Sequence, residues 1–209
     1  MTENYYLVEH PLIKRDVTIL RDINTDSETF RAALQRVSNI LAAEISKKFS
    51  LTEVEVETPL EKTKGFKLAH DVILVPVLRA GLGMVNGFLQ IIPEAKVGHI
   101  GLQRDEETLK PIEYYYKVPK NLETAEVVML DPMLATGGSA AEALKYLKKR
   151  GAKKLFFACL VAAPKGIEKI QNEHPDVKIF AAALDRELNN KGYILPGLGD
   201  AGDRTFGTL

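Results

Sequence analysis

From Asp26 onward the chain sets Phe30, Leu34, Val37, Leu41 and Ile45 at spacings of three and four, with Arg31, Arg36, Glu44 and Lys47 on the other side. That period gathers the apolar side chains on one stripe of a helix, and Asp26 or Ser27 suits the cap at its start. Further on the period changes. D-V-I-L-V-P-V (71–77), V-G-H-I-G-L (97–102), V-V-M-L (127–130), L-F-F-A-C-L-V-A (155–162) and V-K-I-F-A-A-A-L (177–184) are short, rich in β-branched residues and almost continuously apolar. Runs without a polar face belong to strands covered on both sides, as in a parallel sheet. Helical patterns fall between most of them, from Leu82 to Ile92, Ser139 to Arg150 and Lys165 to Glu173. The alternation predicts an α/β fold: a doubly wound, mainly parallel sheet of about five strands flanked by helices.

Three segments depart from the alternation. Residues 1–24 read as extended and partly irregular. Residues 101–122 are too long and too polar for a simple connector, which predicts an arm or active-site loop. Within them Tyr114, Tyr115 and Tyr116 alternate sides if extended, which favours a hairpin packed on a neighbouring subunit over a base-stacking platform. The glycine-rich tail 189–209 reads as neither helix nor strand, yet Tyr193, Ile194, Leu195, Leu198 and Phe206 seek burial there. The sequence is therefore expected to form a single domain over 1–209, with an arm at 101–122 and a functional tail at 189–209.

Composition narrows the function classes. Lysine plus arginine and aspartate plus glutamate stand at 28 each, so the formal net charge is zero and bulk capture of nucleic acid or anionic membrane is not expected. A single cysteine, Cys159, lies inside an apolar run and reads as core. No metal-binding cysteine or histidine spacing occurs, so no dedicated protein metal site is predicted. The start, M-T-E-N-Y-Y-L-V-E-H-P, lacks the apolar stretch of a signal peptide, and no run has the length of a membrane span. The expected location is cytoplasmic.

The chemistry concentrates at M-L-D-P-M-L-A-T-G-G-S-A (129–140). Ligands of open parallel sheets bind beyond the carboxyl ends of the strands, and Asp131 stands at such an end. Thr136, Gly137, Gly138 and Ser139 then lead into a helix whose first N–H groups are unpaired and partially positive. Two glycines permit close backbone approach and two hydroxyls add donors, which together cradle a phosphate monoester. No lysine follows Gly138, so this is not a Walker A loop, and it is not the G-x-G-x-x-G fingerprint. Asp131 beside that cradle suits ribose hydroxyls. Arg79 follows another strand and precedes A-G-L-G, and Arg104 lies just past a third, on the long irregular loop. Both are placed for a polyanion.

D-P-M-L-A-T-G-G-S-A, V-P-V-L-R-A-G-L-G-M-V (75–85), V-G-H-I-G-L-Q-R-D-E-E-T (97–108), C-L-V-A-A-P-K-G-I (159–167) and G-Y-I-L-P-G-L-G-D-A-G-D-R-T-F-G-T (192–208) resemble the blocks of the type I phosphoribosyltransferases, in particular their uracil-specific branch. Many members carry two adjacent acids at the strand end, whereas Pro132 follows Asp131 here, a feature shared with that branch. The resemblance implies transfer of a phosphoribosyl group from 5-phosphoribosyl 1-pyrophosphate (PRPP) to uracil, giving UMP. It implies that Asp131, Pro132, Met133, Leu134, Ala135, Thr136, Gly137, Gly138 and Ser139 bind PRPP with Arg79, Arg104 and Asp200. Arg79, Arg104 and Asp131 would act on the reacting centre, with the turn at Arg79–Ala80 against pyrophosphate through a strained peptide. It implies that Ile194, Gly199, Asp200 and Ala201 hold uracil through main-chain groups, so that 189–209 forms a hood over the base. Mg²⁺ is expected on PRPP oxygens, with a homodimer or homotetramer as the assembly and GTP as a candidate effector. Asp203 and Arg204 are read as a local pair fixing the turn. The rival readings are a UMP-sensing, RNA-binding regulator on the same fold and a purine-specific transferase.

Overall fold

The computed structural model describes residues 4–104 and 111–208. In chain order the elements are β1 (Tyr5–Leu7), α1 (Pro11–Arg21), α2 (Ser27–Ser46), β2 (Leu51–Glu57), β3 (Lys62–Leu68), β4 (Val72–Leu78), α3 (Leu82–Ile91), β5 (Lys96–Val97) and β6 (His99–Arg104). They continue with β7 (Pro111–Lys117), β8 (Glu126–Leu130), β9 (Met133–Leu134), α4 (Gly138–Lys149), β10 (Lys154–Ala162), α5 (Pro164–Glu173), β11 (Lys178–Leu184), β12 (Glu187–Leu188), β13 (Ile194–Leu195) and α6 (Ala201–Phe206).

The main sheet runs β1-β11-β10-β8-β4-β6-β7, with β5 beside β4 and β9 beside β10. All its pairings are parallel except β6 with β7. Side chains alternate between two cores. Val72 and Leu74 face one formed with α1, α2 and α3, whereas Ile73, Val75 and Val77 face the other, under α4 and α5. This is why the five apolar runs show no polar face. The doubly wound expectation holds, and each of the five runs contributes a strand. The sheet is wider than expected because β1 adds to β11 and β7 adds to β6.

Chain order reverses beside β4. The chain passes from β4 to β6 on one side, then crosses to β8 on the other and continues outward to β10 and β11. The crevice at the carboxyl ends of β4 and β8 is therefore the topological switch point, where open α/β sheets bind ligands.

The helix from Ser27 begins as read, with Asp26 as its cap accepting from Thr29 N–H at 2.8 Å. Several other readings need correction. Residues 11–21 form helix α1 instead of an irregular stretch. Pro11 sits in its first turn, His10 caps it through a side-chain nitrogen, and Asp16 is fully buried between Arg15 and Arg36. That buried charge obscures the apolar stripe. The tail contains strand β13, paired antiparallel with β12 just before it, and helix α6, capped by Asp200. Residues 51–68 form an antiparallel ribbon, β2–β3, that the apolar-run criterion passed over because nearly all its side chains are exposed. Its Leu51, Leu60 and Phe66 stand in solvent.

Arg104 is the last residue of β6, paired with Pro111, and so is not on an irregular loop. The pairing of β6 with the aromatic strand β7 draws it into the ladder. Its side chain, and residues 105–110 of the expected arm, lie outside the described residues. Tyr114 and Tyr115 are exposed, while Tyr116 lies 3.8 Å beneath the Arg150 guanidinium, which also binds Glu113. Cys159 is fully buried, as read, and burial raises its thiol pKa far above the ordinary value.

Candidate active site

Asp131 follows the last residue of β8, with its backbone N–H on Ala158 O at 3.2 Å. The chain is then fastened to the next strand. Pro132 O accepts from Leu160 and Val161 N–H at 3.0 and 3.1 Å, and Leu134 O accepts from Ala163 N–H at 2.9 Å. These bonds hold residues 131–135 along the sheet edge, so the turn at 136–137 has a fixed floor. Gly137 has φ +78, and a Cβ there would lie 3.0 Å from Gly166 O. The left-handed conformation and the crowding both call for glycine. α4 starts at the next residue, directing its first N–H groups toward the switch point; Thr136 Oγ1 receives one of them, from Gly138, at 3.4 Å. The strand–turn–helix junction read from the sequence is present, with Thr136 and Ser139 exposed at the start of α4.

The Asp131 carboxyl receives one long hydrogen bond, from Met133 N–H at 3.3 Å. Burial pushes its pKa up to about 7, and the Met133 N–H offsets this only weakly. A half-buried carboxyl with so little local compensation favours a ligand that brings donors.

Arg79 follows β4, one strand across from Asp131. The peptide between Leu78 and Arg79 is cis. Gly81, two residues on, is wedged under the strand end: a Cβ there would lie 2.3 Å from Leu130 O. This contact ties the Arg79 turn to the residue preceding Asp131. The Arg79 side chain is 58% exposed, available to a polyanion, and it donates to Asp203 Oδ1 at 2.9 Å and to Thr208 Oγ1 at 3.4 Å. The Thr208 hydroxyl, and then Arg79, hold the Asp203 carboxyl below the usual carboxylate range.

Here the sequence reading is corrected. Asp203 pairs with Arg79 and not with Arg204. Arg204 turns inward over the Phe30 ring and donates to the carbonyls of Leu20, Leu198 and Asp22. Both its terminal nitrogens are spent on carbonyls that the end of α1 and the tail leave unpaired.

The tail meets both loops. A Cβ on Gly192 would lie 3.6 Å from Thr136 Cγ2, and one on Gly202 would lie 3.7 Å from Ala80 Cβ. Ile194 and Ala201 are buried, Gly199 and Asp200 are exposed, and Asp200 Oδ1 caps α6 by accepting from Asp203 N–H at 2.9 Å. Residues 79–81, 131–139 and 192–202 thus converge at one sheet edge, as their types implied. A cavity of about 420 Å³ opens beside Thr136, lined by Pro164, Lys165, Arg186, Asn189 and Gly192 among others. Lys165 and Arg186 were not singled out in the sequence, where each is one more cation at a helix or strand boundary. Among the described residues no three His, Cys, Asp or Glu side chains gather as a metal cage, and no helix is long and apolar enough to cross a membrane.

The family model described as uracil phosphoribosyltransferase matches residues 7–208. A curated uracil phosphoribosyltransferase of Bacillus licheniformis is 56% identical over 204 residues, covering 97% of this chain and 98% of that protein. One from Salinibacter ruber is 52% identical over 206 residues. Among solved structures, the AQ2163 protein of Aquifex aeolicus superposes with a TM-score of 0.91 at 41% identity, covering 97% of each chain. A purine phosphoribosyltransferase from Pyrococcus horikoshii, with a TM-score of 0.53 at 19% identity, shares the fold.

Proposed function

The chain belongs to the uracil phosphoribosyltransferase family, and from that premise we infer that it transfers the phosphoribosyl group of PRPP to N1 of uracil, releasing UMP and diphosphate. The observation that carries the reading is the under-compensated Asp131 carboxyl beside the Thr136–Ser139 cradle at the switch point. In this reading the α4 N-terminus and the two hydroxyls take the 5-phosphate. Asp131 accepts from the ribose hydroxyls. The C1–O bond to pyrophosphate breaks as the C1–N1 bond forms, through an oxocarbenium-like state, and the N1 proton of uracil passes to the departing pyrophosphate or to water. Arg79 and Arg104 offset the charge that collects on the departing pyrophosphate. Catalysis is then mostly positioning and electrostatic stabilisation.

Mg²⁺ is proposed to arrive on PRPP oxygens and water, in keeping with its reluctance to shed hydration, and Asp131 and Asp200 supply the oxygen-donor chemistry that suits it. When bound it supplies neutralisation of pyrophosphate charge.

Uracil presents carbonyl, N–H and carbonyl along one edge. Main-chain groups of Ile194 and Gly199–Ala201 are proposed to answer it with donor, acceptor and donor. Cytosine places an amino donor against a donor, and the unpaired groups reject it. The bordering hood at 189–209 and the arm at 101–122 are parts of one phosphoribosyltransferase domain in this proposal. A homodimer or homotetramer is proposed, supported by the exposed Leu51, Leu60 and Phe66 of the β2–β3 ribbon. GTP as effector, cytoplasmic location and a place in pyrimidine salvage rest on the family likeness. The net charge of zero gives the RNA-binding alternative no support.

The direct test supplies the full chain with Mg²⁺, PRPP and each nucleobase in turn. Uracil should yield UMP and diphosphate, while cytosine, adenine, guanine and hypoxanthine yield no nucleotide above background. A mononucleotide formed from a purine, or none from uracil, contradicts the assignment.

A further inference from the structure

The main-chain wall at 194–201 has no regular sheet or helix of its own between β13 and α6, so something else must fix it. Gly197 lies at its middle with φ +66, where a Cβ would meet Ile194 O at 2.4 Å. Both of its main-chain groups are taken by one ion pair, whose carboxylate is buried and whose guanidinium is partly so. Its N–H donates to Asp185 Oδ2 at 2.8 Å, and its C=O accepts from Arg21 Nη1 at 2.8 Å. The same Arg21 grips both oxygens of Asp185, with Nη1 on Oδ2 at 2.9 Å and Nη2 on Oδ1 at 2.5 Å. The Asp185 side chain is 3% exposed and that of Arg21 25%.

Asp185 itself is fixed. It follows β11, and its N–H donates to Ala162 O at 2.8 Å, at the end of β10. Arg21 is the last residue of α1. The neighbouring Leu198 O is taken by Arg204 at 2.9 Å. The inner side of the turn is therefore held by side chains from α1, the β11 end and α6, and the Asp200 and Ala201 carbonyls accept from Arg204 N–H and the Thr205 hydroxyl within α6, which leaves the Gly199 carbonyl and the N–H groups of Gly199 to Ala201 for the cleft. A desolvated ion pair is a poor way to gain stability but a good way to specify one geometry.

We propose that Arg21 and Asp185 are positioning residues that set the affinity for the base by holding Gly197, and with it the uracil-binding wall. This rests on the reading of 194–201 as the uracil site. Both side chains touch the back of the wall at Gly197 and neither touches the base. The wall binds uracil alike in the ground state and the transition state, so loosening it acts on KM for uracil and leaves kcat and KM for PRPP nearly as they were.

The test compares steady-state kinetics of the parent with Arg21→Lys and with the double variant Arg21→Met plus Asp185→Leu. Lysine keeps the charge but cannot bind both Asp185 oxygens and Gly197 O. The double variant removes both charges, so no uncompensated charge stays buried and the fold is retained, while Gly197 loses both partners. The expected result is a rise of roughly tenfold in KM for uracil in the double variant and a smaller rise in Arg21→Lys, with KM for PRPP and kcat within about twofold of the parent. An unchanged uracil KM in the folded double variant overturns the proposal. So does a parallel rise in both KM values, which marks a merely structural role. Failure of the parent to make UMP at all would instead remove the reading on which the proposal rests.

Discussion

Asp131→Asn is expected to lower kcat/KM for PRPP by roughly 10²- to 10³-fold, with the fold intact. The two side chains have nearly the same shape, and an amide oxygen can still accept from Met133 N–H. What disappears is the charge toward which the ribose hydroxyls donate, and hydrogen bonds to a charged group are worth about 1.5–3 kcal/mol each. A pH dependence comes with it. In the free protein the Asp131 carboxyl titrates at about 7 because burial raises it. Donors from a bound diol favour the ionised form, so PRPP affinity should rise as pH climbs through 7 and then level off. Calorimetric titrations in buffers of different ionisation enthalpy should detect the Asp131 proton leaving as PRPP binds, as the difference between the parent and Asp131→Asn. The stability effect has the opposite sense. A carboxyl whose folded pKa lies above its unfolded value disfavours the folded state increasingly as pH rises through the folded value. Asp131→Asn should therefore melt higher than the parent at pH 8, with the gap closing toward pH 5. Parent-like turnover in the variant would remove Asp131 from the chemistry.

Gly81→Ala should cost at least about 3 kcal/mol, lowering the melting temperature by about 10 °C. The added Cβ would lie 2.3 Å from Leu130 O, 2.7 Å from Val77 N and 2.8 Å from Val77 O. All three are backbone atoms of paired strands, so no side chain can swing aside, and relief requires β4 and β8 to part. Parting them also separates Arg79 from Asp131, so activity should fall further than stability alone explains. A melting temperature within 2 °C of the parent, read by calorimetry, would show that the approach of the Arg79 turn to β8 is looser than described.

The parts of this protein most legible in its sequence are those where a local pattern and the tertiary structure agree. The five apolar runs are strands because both faces are covered, and nothing else fits that composition. Asp131 and the 136–139 turn were legible because an acid, two glycines and two hydroxyls at a strand–helix junction have few other uses. α1 was hidden by Asp16, a buried charge whose Arg15 and Arg36 partners come from both sides of a helix–helix contact. The β2–β3 ribbon was hidden by the lack of a buried face. The partners of Asp203 and Arg204 could not be read from adjacency. Asp203 reaches back to Arg79, and Arg204 to Leu20 and Asp22, all across a chain separation that only the closed fold provides. The same holds for Arg21 and Asp185, which in the sequence are one more arginine and one more aspartate.

One grip underlies the proposed activity: the sugar phosphate held between Asp131 and the start of α4. A crystal structure of the full chain with UMP bound tests it most directly. The phosphate should lie among the N–H groups and hydroxyls of Thr136 to Ser139, with both ribose hydroxyls on the Asp131 carboxylate and the base against Ile194 and Gly199–Ala201. UMP bound elsewhere, with Asp131 and the 136–139 turn making no contact to it, would contradict it.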